Sequence, residues 1–137
     1  GLILGWTAAK GQIDITVIIL YLGAIFWTLG YDTIYGFQDI KDDEIIGLKS
    51  TSIKFKNNPH KFLILCYSVF LINLLITGYL MKLNSFFYLI FILIILQMFY
   101  FQLKKLNIKN SLECFAIFQS NNLLGLLILI CLIGGKI

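Results

Sequence analysis

The sequence predicts an all-α polytopic transmembrane helix bundle, and three observations carry that prediction. The first is composition: of 137 residues, 59% are apolar and 13% charged, and the mean hydropathy is +0.89. A water-soluble domain of this size carries charge on about a quarter of its residues, so an ordinary soluble globule is excluded. Disorder is excluded too, because chains stay unfolded when hydrophobicity is low and charge is high, the reverse of this balance. The second observation is the spacing of the charges. It leaves four apolar runs long enough, or nearly so, to cross about 30 Å of hydrocarbon at about 1.5 Å per residue. The third is the lysine distribution, which favours alternate connections between those runs.

Residues 1–9 read as the end of an apolar helix that the start of the chain interrupts. The opening Gly1-Leu2-Ile3-Leu4-Gly5-Trp6 has no initiator Met, no basic leading segment and no small-residue cleavage pattern, so it is not a signal peptide. The chain is therefore expected to be the C-terminal part of a longer protein, with residues 1–137 belonging to one membrane-embedded domain. Four full spans are expected at residues 15–31, 62–81, 85–103 and 114–135. Each should be helical, because lipid offers no partner to a backbone polar group and these runs lack the alternation of barrel strands. Pro59 stands just before the second span, where its fixed φ suits a first helical turn. Cys66, Cys114 and Cys131 share no metal-ligand spacing and read as small buried hydrophobes.

All the basic residues are lysines. Lys41, Lys49, Lys54, Lys56, Lys61, Lys104, Lys105 and Lys109 fall after the first and third full spans, against Lys10, Lys82 and Lys136 on the other side. By the positive-inside rule, residues 32–61 should face the cytoplasm. The net charge of +4 does not point to nucleic acid, because the lysines form no stripe interleaved with stacking aromatics.

Chemistry is concentrated in residues 31–44, where Asp32, Asp39, Asp42, Asp43 and Glu44 place five of the seven acids within thirteen residues. If the first full helix continued through Asp43, then with Asp32 at zero Tyr35 would fall at roughly 300°, Asp39 at 340°, Asp42 at 280° and Asp43 at 20°. Four carboxylates and a phenol would share one face, with Lys41 and Glu44 pointing elsewhere. Gly36 permits a break, but Asp39 and Asp43 stay one turn apart if any helix forms there. Like charges at that spacing repel, so a counter-ion is expected. Mg²⁺ suits such a site, because it takes hard oxygen ligands and is held by one or two carboxylates together with substrate phosphates. The simpler reading is a solvated loop whose acids balance its lysines and favour a helix N-terminus.

The run YDTIYGFQDIKDDEIIGLKST, residues 31–51, resembles the second aspartate-rich signature of the UbiA family of membrane prenyltransferases, in its 4-hydroxybenzoate polyprenyltransferase branch. The Tyr-Asp-Thr-x-Tyr start, the Asp39 and Asp43 pair and the Gly47-Leu48-Lys49-Ser50-Thr51 ending are in register. Cys114-Phe115-x-x-Phe118-x-x-Asn121-Asn122-x-x-Gly125-Leu126 is similar to that branch's last membrane helix, and the four full spans plus a partial one suit the later half of a nine-helix bundle. The resemblance implies transfer of a polyprenyl group from polyprenyl diphosphate to 4-hydroxybenzoate in ubiquinone biosynthesis. It implies Asp39, Asp43 and Asp42 as Mg²⁺ ligands, Asp32 and Tyr35 as further members of the catalytic site, and Lys49 as a catalytic and diphosphate-binding group. It implies Asn121 and Asn122 as substrate-binding residues. It also implies a first aspartate-rich motif in an N-terminal part of the same protein; these 137 residues lack that motif and alone should be inactive.

Other readings remain beside this one: a related enzyme with a naphthoate or other aromatic acceptor, a cation transporter, or a non-catalytic membrane subunit. Transporters hold coupling acids near the bilayer midplane, whereas these lie past a helix end. Asn73 and Gln97 read as helix-to-helix hydrogen-bonding groups. His60, a single histidine beside a helix start, is weak evidence for catalysis. Aromatics such as Phe26, Trp27 and Tyr31 could line a lipid tunnel, although most of the 21 aromatic residues must pack or face lipid.

Overall fold

The computed structural model describes all of residues 1–137 and contains only helices. They are α1 (Leu2–Lys10), α2 (Ile15–Gly36), α3 (Ile40–Ile45), α4 (Thr51–Lys54), α5 (Pro59–Leu80), α6 (Ser85–Ile95) with a π-helical continuation (Leu96–Leu103), and α7 (Ser111–Lys136). Four helical segments are long and apolar enough to cross a membrane: Ile15–Gly36, Pro59–Leu80, Ser85–Leu103 and Ser111–Lys136. The expected spans are all present, each ending within a few residues of its expected bounds except the first, which runs on to Gly36. Pro59 occupies the first turn of α5, as its missing N–H allows.

Side-chain caps set the starts of three of the long helices. Asp14 accepts from the amides of Thr16 and Val17 at 3.0 and 3.2 Å, Asn84 from Phe86 at 2.9 Å, and Asn110 from Leu112 and Glu113 at 3.1 and 3.3 Å. Each satisfies amides that the first helical turn leaves without partners.

The helix α2 packs most extensively on α5, α6 on α7, and α2 on α7. Close approach requires small residues: a Cβ on Gly30 would lie 2.7 Å from Tyr67 Cε1, and one on Gly78 2.3 Å from the Phe87 ring. The core is formed by Leu63, Tyr67, Phe70, Leu74, Phe87, Ile94, Met98 and Leu124 among others, all fully buried or nearly so. Cys66, Cys114 and Cys131 are buried and free, as expected.

The expected continuous helix from residue 15 through Asp43 is not formed. The chain tightens at the end of α2, with Phe37 N donating to Ile34 O at 3.2 Å and Gln38 N to Tyr35 O at 3.1 Å, and then turns before α3. The cause is local. Ser52 of α4 lies against Gly36, where a Cβ would approach Ser52 Oγ to 2.2 Å, and Ser52 Oγ donates to Thr33 O at 2.8 Å. The hydroxyls of Thr33 and Thr51 meet at 2.7 Å, so α4 is tied to the end of α2 and the segment between them folds back.

The two ends of the bundle are each tied across helices. At one, His60 Nε2 donates to the carbonyl of Leu103 at 3.1 Å; at the other, Asn84 N donates to Gly135 O at 2.9 Å. His60 thus joins the start of α5 to the end of the π-helical stretch. Lys54 and Lys82 lie at opposite ends. Cysteines placed at these positions should react with an impermeant thiol reagent from opposite faces of sealed vesicles; labelling of both from one face would contradict the topology.

Candidate functional site

The acidic segment begins where α2 leaves the membrane-spanning length. Asp39 is the N-cap residue of α3, and Asp43 N donates to Asp39 O at 2.9 Å, so these two acids are one turn apart, as expected. Gly47, with φ 73°, ends the segment in the left-handed conformation that glycine adopts without steric cost. Asp39 and Asp42 are exposed and make no ion pair, whereas Asp43 is half-buried.

The break after Gly36 divides the expected acidic face. Asp39 and Asp42 open into a cleft of about 640 Å³ whose wall also includes Gln38, Glu44, Lys56 and Lys109. Asp32 faces a separate shallow groove with Tyr21, Ile25 and Thr28. Asp43 lines neither. Glu44, which a continuous helix would turn away, lines the cleft and pairs with Lys56. No three acidic, histidine or cysteine side chains converge closely enough to enclose a metal. Two carboxylates in an open cleft fit an ion completed by a ligand's phosphates, which is how Mg²⁺ is commonly held.

Lys49 lies apart from the cleft, in a groove with Ser50, Thr51 and Lys54. The residues after it have local roles: Ser50 Oγ caps α4 by accepting from Ile53 N at 3.2 Å, and Thr51 and Ser52 hold α2. Lys56 and Lys109 carry charge to the cleft instead, together with Lys41, which a continuous helix would have turned away. Spacing along the sequence does not reveal Lys109, because it comes from the connection before α7 and only tertiary packing brings it beside the acids.

Tyr35 is exposed and its ring lies 4.7 Å from that of Phe118; Tyr31 contacts Phe118 at 6.0 Å and Trp27 at 5.5 Å. These rings form an aromatic seam between α2 and α7 that leads from the membrane interior toward the acidic segment.

Asn121 and Asn122 separate. Asn122 is exposed, whereas Asn121 is 8% exposed and joins α7 to α2 and the π-helical stretch, and through Gln102 to α5. Its Oδ1 accepts from Trp27 Nε1 at 2.9 Å and from Gln102 Nε2 at 3.2 Å, while its Nδ2 donates to Ile117 O at 3.2 Å. Gln102 Oε1 in turn accepts from the Tyr67 hydroxyl. Gln97 and Gln102 both turn inward because they lie in the π-helical stretch. Residues five apart would diverge by about 140° on an α-helix, and i→i+5 bonding closes that gap. Gln97 meets the expectation of a helix-to-helix bond, donating to Ser120 O at 3.5 Å. Asn73 does not, since it donates to Val69 O within its own helix at 2.8 Å.

Among known proteins, the family described as "UbiA prenyltransferase family" matches residues 1–131. The chain is 37% identical over 134 residues to a protein of Francisella tularensis subsp. novicida named 4-hydroxybenzoate octaprenyltransferase, covering 95% of this chain and 45% of that one. It is 37% identical over 141 residues to a Bos taurus protein named 4-hydroxybenzoate polyprenyltransferase, mitochondrial, covering 100% and 37%. The chain thus spans less than half the length of these relatives. No solved structure matches it.

Replacing Asn121 by Leu removes the acceptor shared by Trp27 and Gln102, leaving donors unsatisfied at a cost of about 1 to 3 kcal/mol. Asn122→Leu, at an exposed position, should change stability by no more than about 0.5 kcal/mol. Thermal unfolding in detergent should separate the two variants in that order.

Proposed function

This chain belongs to the UbiA prenyltransferase family, and we propose that the protein transfers a polyprenyl group from polyprenyl diphosphate to 4-hydroxybenzoate, in ubiquinone biosynthesis and with Mg²⁺ as cofactor. The observation that carries the reading is the placement of Asp39 and Asp43 one turn apart just beyond a membrane-spanning helix, with Asp39 opening into a cleft that also presents lysines. The names of the two relatives supply the substrates. The first aspartate-rich motif is assigned to an N-terminal part of the same protein.

In this reading Asp39 and Asp42 would hold Mg²⁺ in the cleft, and Asp43, one turn from Asp39 but outside the cleft wall, would reach the ion through a change of side-chain rotamer. Bound Mg²⁺ would offset the charge that develops on the departing diphosphate. Lys56 and Lys109 attract and orient the same anion, and their position in the cleft favours them over Lys49 for direct contact. Asp32 and Tyr35 lie on the membrane side of the site. The seam of Trp27, Tyr31, Tyr35 and Phe118 presents aromatic faces, which can stabilise an allylic cation without attacking it. The apolar spans exclude the water that would otherwise capture the cation. The acidic segment faces the cytoplasm or matrix, where the lysine-rich connections lie.

Asp39→Asn or Asp43→Asn preserves shape and removes a ligand charge that acts chiefly on the leaving group. In the complete enzyme each should lower turnover by at least about 100-fold, the scale of a lost electrostatic stabiliser. Insertion and folding should be unaffected, because they depend on the apolar helices. Lys54→Gln, outside the cleft, is the control. Normal turnover and normal Mg²⁺ dependence in purified Asp43→Asn enzyme would remove the metal role.

A further inference from the structure

The hydrogen bond between Trp27 and Asn121 is determined more closely than packing alone requires. Gln102 is 1% exposed and both ends of its amide are engaged: Oε1 accepts from the Tyr67 hydroxyl, and Nε2 donates to Asn121 Oδ1 at 3.2 Å. Asn121 Nδ2 is engaged too, donating to Ile117 O at 3.2 Å and to Phe118 O at 3.3 Å. The indole N–H of Trp27 can only donate. With the Asn121 amide reversed, its NH₂ would face the donors of Trp27 and Gln102, so one orientation satisfies every group. That orientation leaves Oδ1 as the acceptor for Trp27 Nε1 at 2.9 Å. Rings hold the rest of the half-buried indole, which stacks on Phe70 at 5.5 Å and meets Tyr31 edge-on at 5.5 Å. The π-helical turn aims Gln102 at this amide, and such turns are rare and concentrate at functional sites.

Depth decides what a ring fixed in this way serves. Along α2, Trp27 precedes Tyr35 by about two turns, or about 12 Å of helix rise. Tyr35 is the seam ring nearest the acidic segment, so a cation formed beside the diphosphate belongs to the Tyr35 end, because a ring face attracts a cation only within about 6 Å. The remaining distance is longer than one isoprene unit and shorter than a polyprenyl chain. An apolar chain that leaves the acidic segment along the seam therefore meets Trp27 with one of its later units. We propose that Asn121 is a positioning residue for the donor's tail: by fixing the Trp27 indole it presents a rigid face to an isoprene unit beyond the first, and so makes affinity depend on donor length. The inference rests on the function proposed above and deepens it. Asn121 itself touches no substrate in this arrangement, since its oxygen and nitrogen are both taken by protein groups. An indole already immobilised loses no further rotamer freedom when the chain packs on it.

The test is equilibrium binding of two non-reactive donor analogues, dimethylallyl thiodiphosphate with one isoprene unit and farnesyl thiodiphosphate with three, to the purified full-length protein in detergent with Mg²⁺. The wild type should prefer the farnesyl analogue. Asn121→Leu should reduce that preference by about fivefold, the scale of immobilising one side chain, and leave the affinity for the one-unit analogue unchanged. In a Trp27→Phe background, which has no indole N–H to hold, Asn121→Leu should change the preference by less than about twofold. Replacing Trp27 by 3-benzothienylalanine, which keeps the bicyclic ring and lacks the N–H, should reproduce the loss with Asn121 intact, and this keeps the test decisive should Asn121→Leu misfold. Equal loss of both analogues marks a merely structural role and overturns the proposal, as does a loss that persists undiminished in the Trp27→Phe background. A wild type that binds both analogues without preferring the longer overturns this inference alone. A wild type that binds neither overturns the proposed function and this inference with it.

Discussion

Asn121 is the pivot of the bundle. Within hydrocarbon, an amide has no alternative partner, so the donors of Trp27 and Gln102 and the acceptor of Asn121 must meet one another. Apolar packing alone tolerates small slides of one helix along another; a shared acceptor with two donors does not. Individual hydrogen bonds between membrane helices contribute only about 0.6 kcal/mol on average, because partners can be found before final packing. The cluster therefore acts more on register than on total stability. It sets α7 against α2 at the level of Trp27, and that register places Phe118 beside Tyr31 and Tyr35.

A second constraint acts at the end of α2. Gly36 lets Ser52 close onto the helix, and the threonine pair holds α4 there. The segment between α2 and α4 must then fold back, which creates α3 and separates Asp32 from the later acids. The apolar bundle and the acidic cleft are connected through this strap. The Gly-Leu-Lys-Ser-Thr sequence accordingly serves the position of the acids through its hydroxyls, with Lys49 turned to another groove.

The membrane spans could be read from the sequence because charge in hydrocarbon is costly, so the lysines and acids mark the ends of the apolar runs. Asp39 and Asp43 could be paired because one helical turn suffices to bring them together. The break at Gly36 could not, since it depends on Ser52 and Thr51 arriving from a later segment. The π-helical stretch was equally hidden: no Pro or Gly interrupts the sequence there, and only the inward placement of both Gln97 and Gln102 marks it. Asn121 and Asn122 look equivalent in sequence, and helix rotation alone makes one a buried pivot and the other exposed.

The central claim is that the acidic segment binds a diphosphate through a divalent cation. Equilibrium binding of a non-reactive prenyl thiodiphosphate to the purified full-length protein tests it without requiring an acceptor or turnover. The account predicts tight binding with Mg²⁺ that is lost on chelation and restored by adding Mg²⁺ back, with Asp39→Asn failing to recover it at the same Mg²⁺ concentration. Binding of equal strength with and without Mg²⁺ would contradict the account.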